Sequence, residues 1–193
     1  MAFDSLSAFV AALRSAGELA EISAPVDPHL EIAEITDRVV KAGGPALLFT
    51  NVVGSKFPVL TNQFGSERRM AMAFGADSIE AVANRVRSAV DLSVPKTLGA
   101  KIGKAFSLTA LTSAIPKTVA NGSCQDVVLE GDDVDLLALP VLTTWPLDGG
   151  PFVTLPLVYT QHPVKPGHNL GMYRMQIHDR ASTGMHWQIG KGG

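Results

Sequence analysis

NLGMYRMQIHDRASTGMHWQIGKGG, residues 169–193, decides how the second half of the chain folds. Side chains alternate across a strand, so Gly171, Tyr173, Met175 and Ile177 are expected on one face and Met172, Arg174, Gln176 and His178 on the other. In the next segment Met185, Trp187 and Ile189 oppose His186 and Gln188. An odd-numbered loop through DRAS, residues 179–182, would bring like faces together in a hairpin. One register sets Arg174 opposite His186; a slip of two residues sets it opposite Gln188, and both keep one face apolar and the other polar. Alternation alone is satisfied by a half-solvated sheet. The residue types point further, because a guanidinium and amides suit phosphate or carboxylate recognition better than the Thr, Lys and Glu of a plain wet face. His168 and Asn169, after the turn PVKPG, add nitrogen or oxygen donors at the strand start, although each taken singly reads as a turn residue.

Working back from this hairpin, VVLEGD and FVTLPLVYTQ also read as strands, separated by the turn signals GD, DGGP and PVKPGH. A β-rich unit is therefore expected from about residue 123. Residues 93–121, rich in Lys, Gly, Pro, Ser and Thr, read as an extended connection with one short helix. The first half mixes elements. Apolar spacing predicts helices from Asp4 to Ala16, Leu30 to Ala42, Glu67 to Phe74 and onward from Asp77, with short strands at ELAEIS, ALLFTNV and FPVLTN. The expected fold class is α+β: a mixed α/β domain over 1–122, then the start of a split β-barrel over 123–193.

The chain has 193 residues, 46% hydrophobic and 18% charged, as expected of a globular protein rather than a disordered one. Its net charge of −2, with Lys and Arg scattered, argues against nucleic acid. Cys124 is the single cysteine, which excludes an internal disulfide and fits a reducing, cytoplasmic compartment. No run approaches the roughly 18 apolar residues of a membrane span.

The strings NLGMYRMQ, TGMHWQ and KGG, together with WPLDGGPFVTLPLV at 145–158 and AGGPALLFTNV near the start, resemble the UbiD family of reversible decarboxylases. That resemblance spans essentially the whole chain and implies the N-terminal portion of a family member. It implies prenylated FMN as cofactor, manganese as metal with potassium as a second candidate ion, and an aromatic or α,β-unsaturated carboxylic acid as substrate, a polyprenyl-hydroxybenzoate of quinone biosynthesis being one case. It further implies a flavin prenyltransferase as cofactor supplier and a homo-oligomeric or otherwise completed assembly. Position by position, Asn169 matches the metal-binding asparagine and Arg174 the arginine beside flavin and substrate carboxylate. Thr154 matches a flavin-contacting hydroxyl; Gly171, Met172 and Tyr173 match the strand along the cofactor; Gln188 joins the cofactor wall; and Lys191 lies near where the family handles the flavin phosphate. Gly190 stands where many members carry a metal-ligand histidine, and the family's glutamates lie downstream of Gly193.

Two other readings compete. One is a truncated, non-catalytic flavin-binding or assembly subunit completed by another chain, since half a barrel leaves strand edges unpaired. The other, a flavin reductase-like binder, rests on fold analogy alone. The remaining candidates read as structural. His29 and His162 fit surface or turn positions, Asp132 and Asp133 a turn and helix cap, and the GGP pairs at 43–45 and 149–151 turns without a P-loop's lysine and hydroxyl. Cys124 has no neighbouring base to activate it, and Trp145 and Trp187 are expected to pack.

Overall fold

The computed structural model describes residues 3–90, 118–190 and 192. It divides into two compact units, Met1–Phe9 with Ser66–Val128 and Val10–Gly65 with Leu129–Gly193. The expected connection over 93–121 lies almost wholly outside the described residues.

Helix α1, Leu6–Ser15, begins where Ser5 Oγ accepts the Ala8 N–H at 3.1 Å and ends before Gly17, whose φ of 70° turns the chain away. In the first unit, α3 (Glu67–Ala73) is capped by Ser66, whose hydroxyl accepts the Arg69 N–H at 3.2 Å. Arg85 of α4 (Ile79–Val90) donates to the Phe74 carbonyl at 2.6 Å, tying the two helices together.

The second unit holds the main core. Strand β1 (Leu19–Ile22) runs parallel to β2 (Ala46–Phe49) with Leu19 opposite Ala46, and β2 pairs antiparallel with β3 (Val59–Thr61). The parallel pair requires a crossover, which α2 (Glu31–Lys41) supplies. Its apolar face packs Ile32, Ile35 and Val39 against Leu47, Phe49, Val52 and Val59. Phe49 and Ile32 are fully buried, each worth about 2 kcal/mol in area removed from water. Gly44 follows the helix because a Cβ there would stand 2.7 Å from Val39 Cγ1.

The C-terminal segment is stitched onto this layer. Leu30 donates to the Thr143 carbonyl at 3.0 Å and Thr143 to the Pro28 carbonyl at 3.2 Å, while Leu142 packs on the core. These contacts hold Leu30 at a φ of 68°, a left-handed conformation that a leucine keeps only under external restraint. Beyond it, β4 (Phe152–Val153), β7 (Met175–Ile177) and β8 (Thr183–Met185) form one antiparallel sheet, and β5 (Leu157–Gln161) with β6 (His168–Met172) a separate hairpin. The α+β class is as the sequence predicts.

The strands are shorter than their periodicity suggests. VVLEGD forms none; it leads into a 3-10 turn at Gly131–Asp133, where Gly131 has a φ of 58°. FVTLPLVYTQ breaks at residues 154–156, where Pro156 has no N–H to give a ladder. The run from Gly171 to His178 breaks at Tyr173 and Arg174 because its ladder changes partner, from β5 on one side to β4 and β8 on the other. His186 to Ile189 lie outside β8 for the same reason: the facing strand has already ended.

Candidate functional site

The break at Tyr173 and Arg174 creates the site. Met175 pairs with Met185 and Ile177 with Thr183, a register that, if continued, sets Arg174 opposite His186, the first of the two expected alternatives. The loop is odd, as predicted: His178 donates to the Ser182 carbonyl at 3.0 Å, closing a three-residue turn. Asp179 stabilises that turn by accepting from the Ser182 hydroxyl at 2.6 Å and from the N–H groups of Ala181 and Ser182 at 2.9 Å. These bonds, the Ser182 hydroxyl foremost, hold its carboxyl below the ordinary range.

Between the hairpins lies an open cleft of about 800 Å³. Gly171, Met172, Tyr173, Arg174 and Gln188 line it, with Phe152, Gln176 and His186. The Tyr173 ring folds back over Gly171, where a Cβ would sit 2.5 Å from Tyr173 Cε2, so only glycine leaves that position flat. Trp187 stands against Tyr173 with ring centroids 5.1 Å apart. Both tryptophans, expected to pack, are exposed, and Trp187 makes that ring contact.

Arg174 is the most constrained charge in the cleft. Its Nη2 donates to Asp148 Oδ2 at 2.7 Å and its Nη1 to Oδ1 at 3.3 Å, with a longer bond from Nη2 to Thr144 Oγ1 at 3.4 Å. The guanidinium carbon rests 3.8 Å from the centroid of the Phe152 ring. Thr144 in turn donates to Asp148 Oδ2 at 3.2 Å. Arg174's hydrogen bond, partly offset by desolvation, holds the Asp148 carboxyl below its ordinary range. Gln176 fixes the preceding loop by donating to the Gly149 carbonyl at 2.6 Å.

The other predicted positions lie apart. Asn169 is on β6, beside a neighbouring groove rather than in the cleft, and its Nδ2 donates to the Tyr173 hydroxyl at 3.3 Å. Thr154 is exposed in the gap between β4 and β5 and does not line the cleft. Lys191 lies outside the described residues. Among the described residues no group of three or more His, Cys, Asp or Glu side chains is placed to hold a metal ion. Sequence reasoning missed Asp148, Thr144 and Phe152. Asp148 was legible in one respect, as the single carboxylate in WPLDGGPFVTLPLV, but its DGGP context reads first as a turn.

The fold is α+β, and its open cleft, with aromatic and thioether walls and one clamped guanidinium, has a shape and chemistry suited to a ligand that is largely apolar and carries an anionic group. The chain belongs to the UbiD family. Its residues 10–88 match the 3-octaprenyl-4-hydroxybenzoate carboxy-lyase N-terminal domain and residues 117–193 the Rift-related domain of the same family. An uncharacterized protein of Aquifex aeolicus is 43% identical over 96% of this chain, which spans 38% of that relative. Vanillic acid decarboxylase of Sedimentibacter hydroxybenzoicus in its closed form is 26% identical with a TM-score of 0.74, over 95% of this chain and 37% of the other. An evolved dimeric form of the UbiD-class enzyme HmfF from Pelotomaculum thermopropionicum, in complex with prFMN, shares the fold with a TM-score of 0.73 at 24% identity, over 97% of this chain and 39% of that one. Among the described residues no helix is long and apolar enough to cross a membrane.

Proposed function

We propose that this chain forms the cofactor-facing wall of a cytoplasmic UbiD-type decarboxylase acting on an aromatic or α,β-unsaturated carboxylic acid. A 3-octaprenyl-4-hydroxybenzoate-like acid is one candidate, after the family's own description. The observation that carries the reading is Arg174, oriented into the cleft beside Gly171 and Tyr173 with its plane fixed on Phe152. The cleft suits prenylated FMN: its volume lies in the range of cofactor pockets, and the aromatic and thioether side chains of Phe152, Tyr173, Met172 and Met185 line it. Gly171, Met172, Tyr173, Gln188 and Lys191 would hold that cofactor, with Thr154 at its edge. When bound, prenylated FMN supplies an electron sink for the density left on carbon as carbon dioxide departs. Arg174 holds the substrate carboxylate by charge-assisted hydrogen bonds and orients it.

Manganese, or potassium, fits these residues only in part. Asn169 offers one oxygen, and the described residues add no cluster of hard ligands around it. The flavin-binding part would run over 123–193, after a mixed N-terminal domain over 1–122. Homo-oligomerisation and supply of the cofactor by a flavin prenyltransferase complete this reading.

A second reading, a non-catalytic flavin-binding or assembly subunit completed by another chain, has one specific observation in its favour. The β5–β6 hairpin presents Leu157, Tyr159, Leu170 and Met172 to solvent on one face. Co-expression with a flavin prenyltransferase, followed by purification, an absorbance spectrum and metal analysis, separates the two. Stoichiometric prenylated flavin with decarboxylation of an aromatic acid supports the first reading. Flavin retention without turnover, restored by adding a second chain, supports the other, and a soluble chain that retains no flavin overturns the reading of the cleft.

A further inference from the structure

We infer that Asp148 is the positioning residue for Arg174: it fixes the guanidinium end-on so that its Nε–H edge serves a ligand carboxylate. This rests on the proposed reading of Arg174 as the carboxylate-holding group and adds a residue to it.

The two partners differ in exposure. The Asp148 side chain is 13% exposed and the Arg174 side chain 41%. Arg174 and Phe152 line the cleft, and Asp148 does not. The acid is therefore the fixed partner and the base the working one. Asp148 is itself anchored, by the Thr144 hydroxyl at 3.2 Å and by a turn in which its own N–H meets the Trp145 carbonyl at 3.0 Å.

A guanidinium carries five N–H donors in a rigid fork. Asp148 takes one from each Nη, and Thr144 receives a further Nη2 donor. The Nε–H and the outer Nη1–H remain, on opposite edges of the plane, so a ligand carboxylate meets the Nε–H edge and gains a second donor only by displacing the long 3.4 Å bond from Nη2 to Thr144. With Phe152 beneath the plane, rotation of the group is restricted from two directions. An isolated surface ion pair does little, because both side chains surrender entropy to form it. Here that cost is met when the chain folds rather than when a ligand arrives, so an incoming carboxylate finds its donors already oriented. The opposite role, a carboxylate that blocks Arg174 until displaced, fits less well: Asp148 is the more buried and more anchored partner.

The test uses the 193-residue chain, with benzoate as the probe. In the guanidinium nitrogen spectrum, end-on pairing slows rotation about the Cζ–N bonds, so the Arg174 Nη protons should resolve separately in the wild type and merge in Asp148→Asn. Benzoate affinity, by calorimetric titration, should fall about five- to tenfold in Asp148→Asn, the loss expected when one rotamer-rich side chain must be ordered on binding. Thr144→Val, which removes an anchor of Asp148 together with the long bond from Arg174 and leaves the Asp148 charge in place, should shift both readouts in the same direction and less, and it decides the matter if the asparagine variant does not fold. Unchanged Arg174 signals, or benzoate affinity equal to or tighter than wild type in the folded variants, overturns the positioning role. Arg174→Ala separates the two levels. If benzoate binds that variant as well as the wild type, or fails to bind the wild type, the reading of Arg174 itself fails and the role of Asp148 falls with it. If Arg174→Ala loses binding and Asp148→Asn does not, only the positioning role is lost.

Discussion

Two regions of one compact unit are built by opposite means. Around α2 and the β1–β2–β3 sheet, stability comes from apolar side chains with no access to water: Phe49, Ile32, Leu47 and Val52. Around the cleft, the sheet β4–β7–β8 buries a single large side chain, Ile177, and the rest is held by directed polar contacts: Arg174 on Asp148, Gln176 on the Gly149 carbonyl, Asp179 on its own turn. Apolar groups there point outward, with Leu147, Leu157 and Ile189 among the most exposed large apolar side chains of the described residues. Packing is tolerant of small directional errors and intolerant of lost volume; hydrogen-bonded clamps are the reverse. A scaffold benefits from the first property and a binding cleft from the second.

The largest break in this comparison should come from Phe49→Ala. Removing a fully buried ring from the first region should cost about 3–5 kcal/mol in chemical denaturation, and a loss under about 1 kcal/mol would mean the core is not as packed as its burial states. The same steric insult placed in each region comes next. At Gly44 an added Cβ meets Val39 Cγ1 at 2.7 Å and the Val39 carbonyl oxygen at 3.2 Å, neither of which can retreat far, so Gly44→Ala should cost about 1–3 kcal/mol. At Gly171 it meets the Tyr173 ring at 2.5 Å, and that ring borders open cleft. Gly171→Ala should therefore alter the near-ultraviolet dichroism of the Tyr173–Trp187 pair while leaving the denaturation midpoint almost where it was. Equal destabilisation by the two alanines would erase the distinction.

How much of this was legible in the sequence follows the same division. The packed region announced itself: the apolar spacing of Ile32, Ile35 and Val39 gave α2 to within a residue, because helix periodicity is a local property that burial then exploits. In the cleft region, alternation correctly set Gly171 and Tyr173 on one side. It could not reveal that the strand changes partner at Arg174, since pairing is decided by residues far away in sequence. The expected strand at VVLEGD failed for that reason too: three apolar residues and a valid turn signal make a strand only where a partner edge is available. Asp148 was invisible as a partner of Arg174, 26 residues on, because nothing local distinguishes a turn aspartate from one whose carboxylate is aimed across a sheet.

Acid should open the two regions in sequence. Asp148 and Asp179 are both held below their ordinary value of 3.8 in the folded chain, by Arg174 and by Ser182 respectively. The unfolded chain then takes up protons first. The stability these carboxylates supply is fully present above about pH 4 and is lost as pH falls through their lowered folded values. Both tryptophans, Trp145 and Trp187, belong to the cleft region. On titration from pH 6 downward, their fluorescence should therefore change before the helical dichroism, to which α2 contributes. Asp148→Asn should reduce the amplitude of that early fluorescence change. Coincident transitions would mean that the polar clamps and the apolar core melt as one.

The smallest effect is expected where the apolar content is highest at the surface. Leu157 and Leu170 lie on neighbouring strands of the β5–β6 hairpin, on its solvent-facing side, 75% and 63% exposed. A buried leucine replaced by threonine would lose transfer free energy and strand a hydroxyl; an exposed one loses neither, and threonine suits a strand as well as leucine does. Leu157→Thr and Leu170→Thr, singly or together, should leave the denaturation midpoint within about 0.5 kcal/mol of wild type at low protein concentration. What they should change is association, because side chains contributing nothing to the fold of their own chain still draw together with any other apolar surface. Sedimentation across a concentration series reads that separately from stability. A double variant that is much less stable even when dilute would show that these leucines already have a buried partner, and the contrast between a region closed on itself and one open to a ligand or a second chain would have to be redrawn.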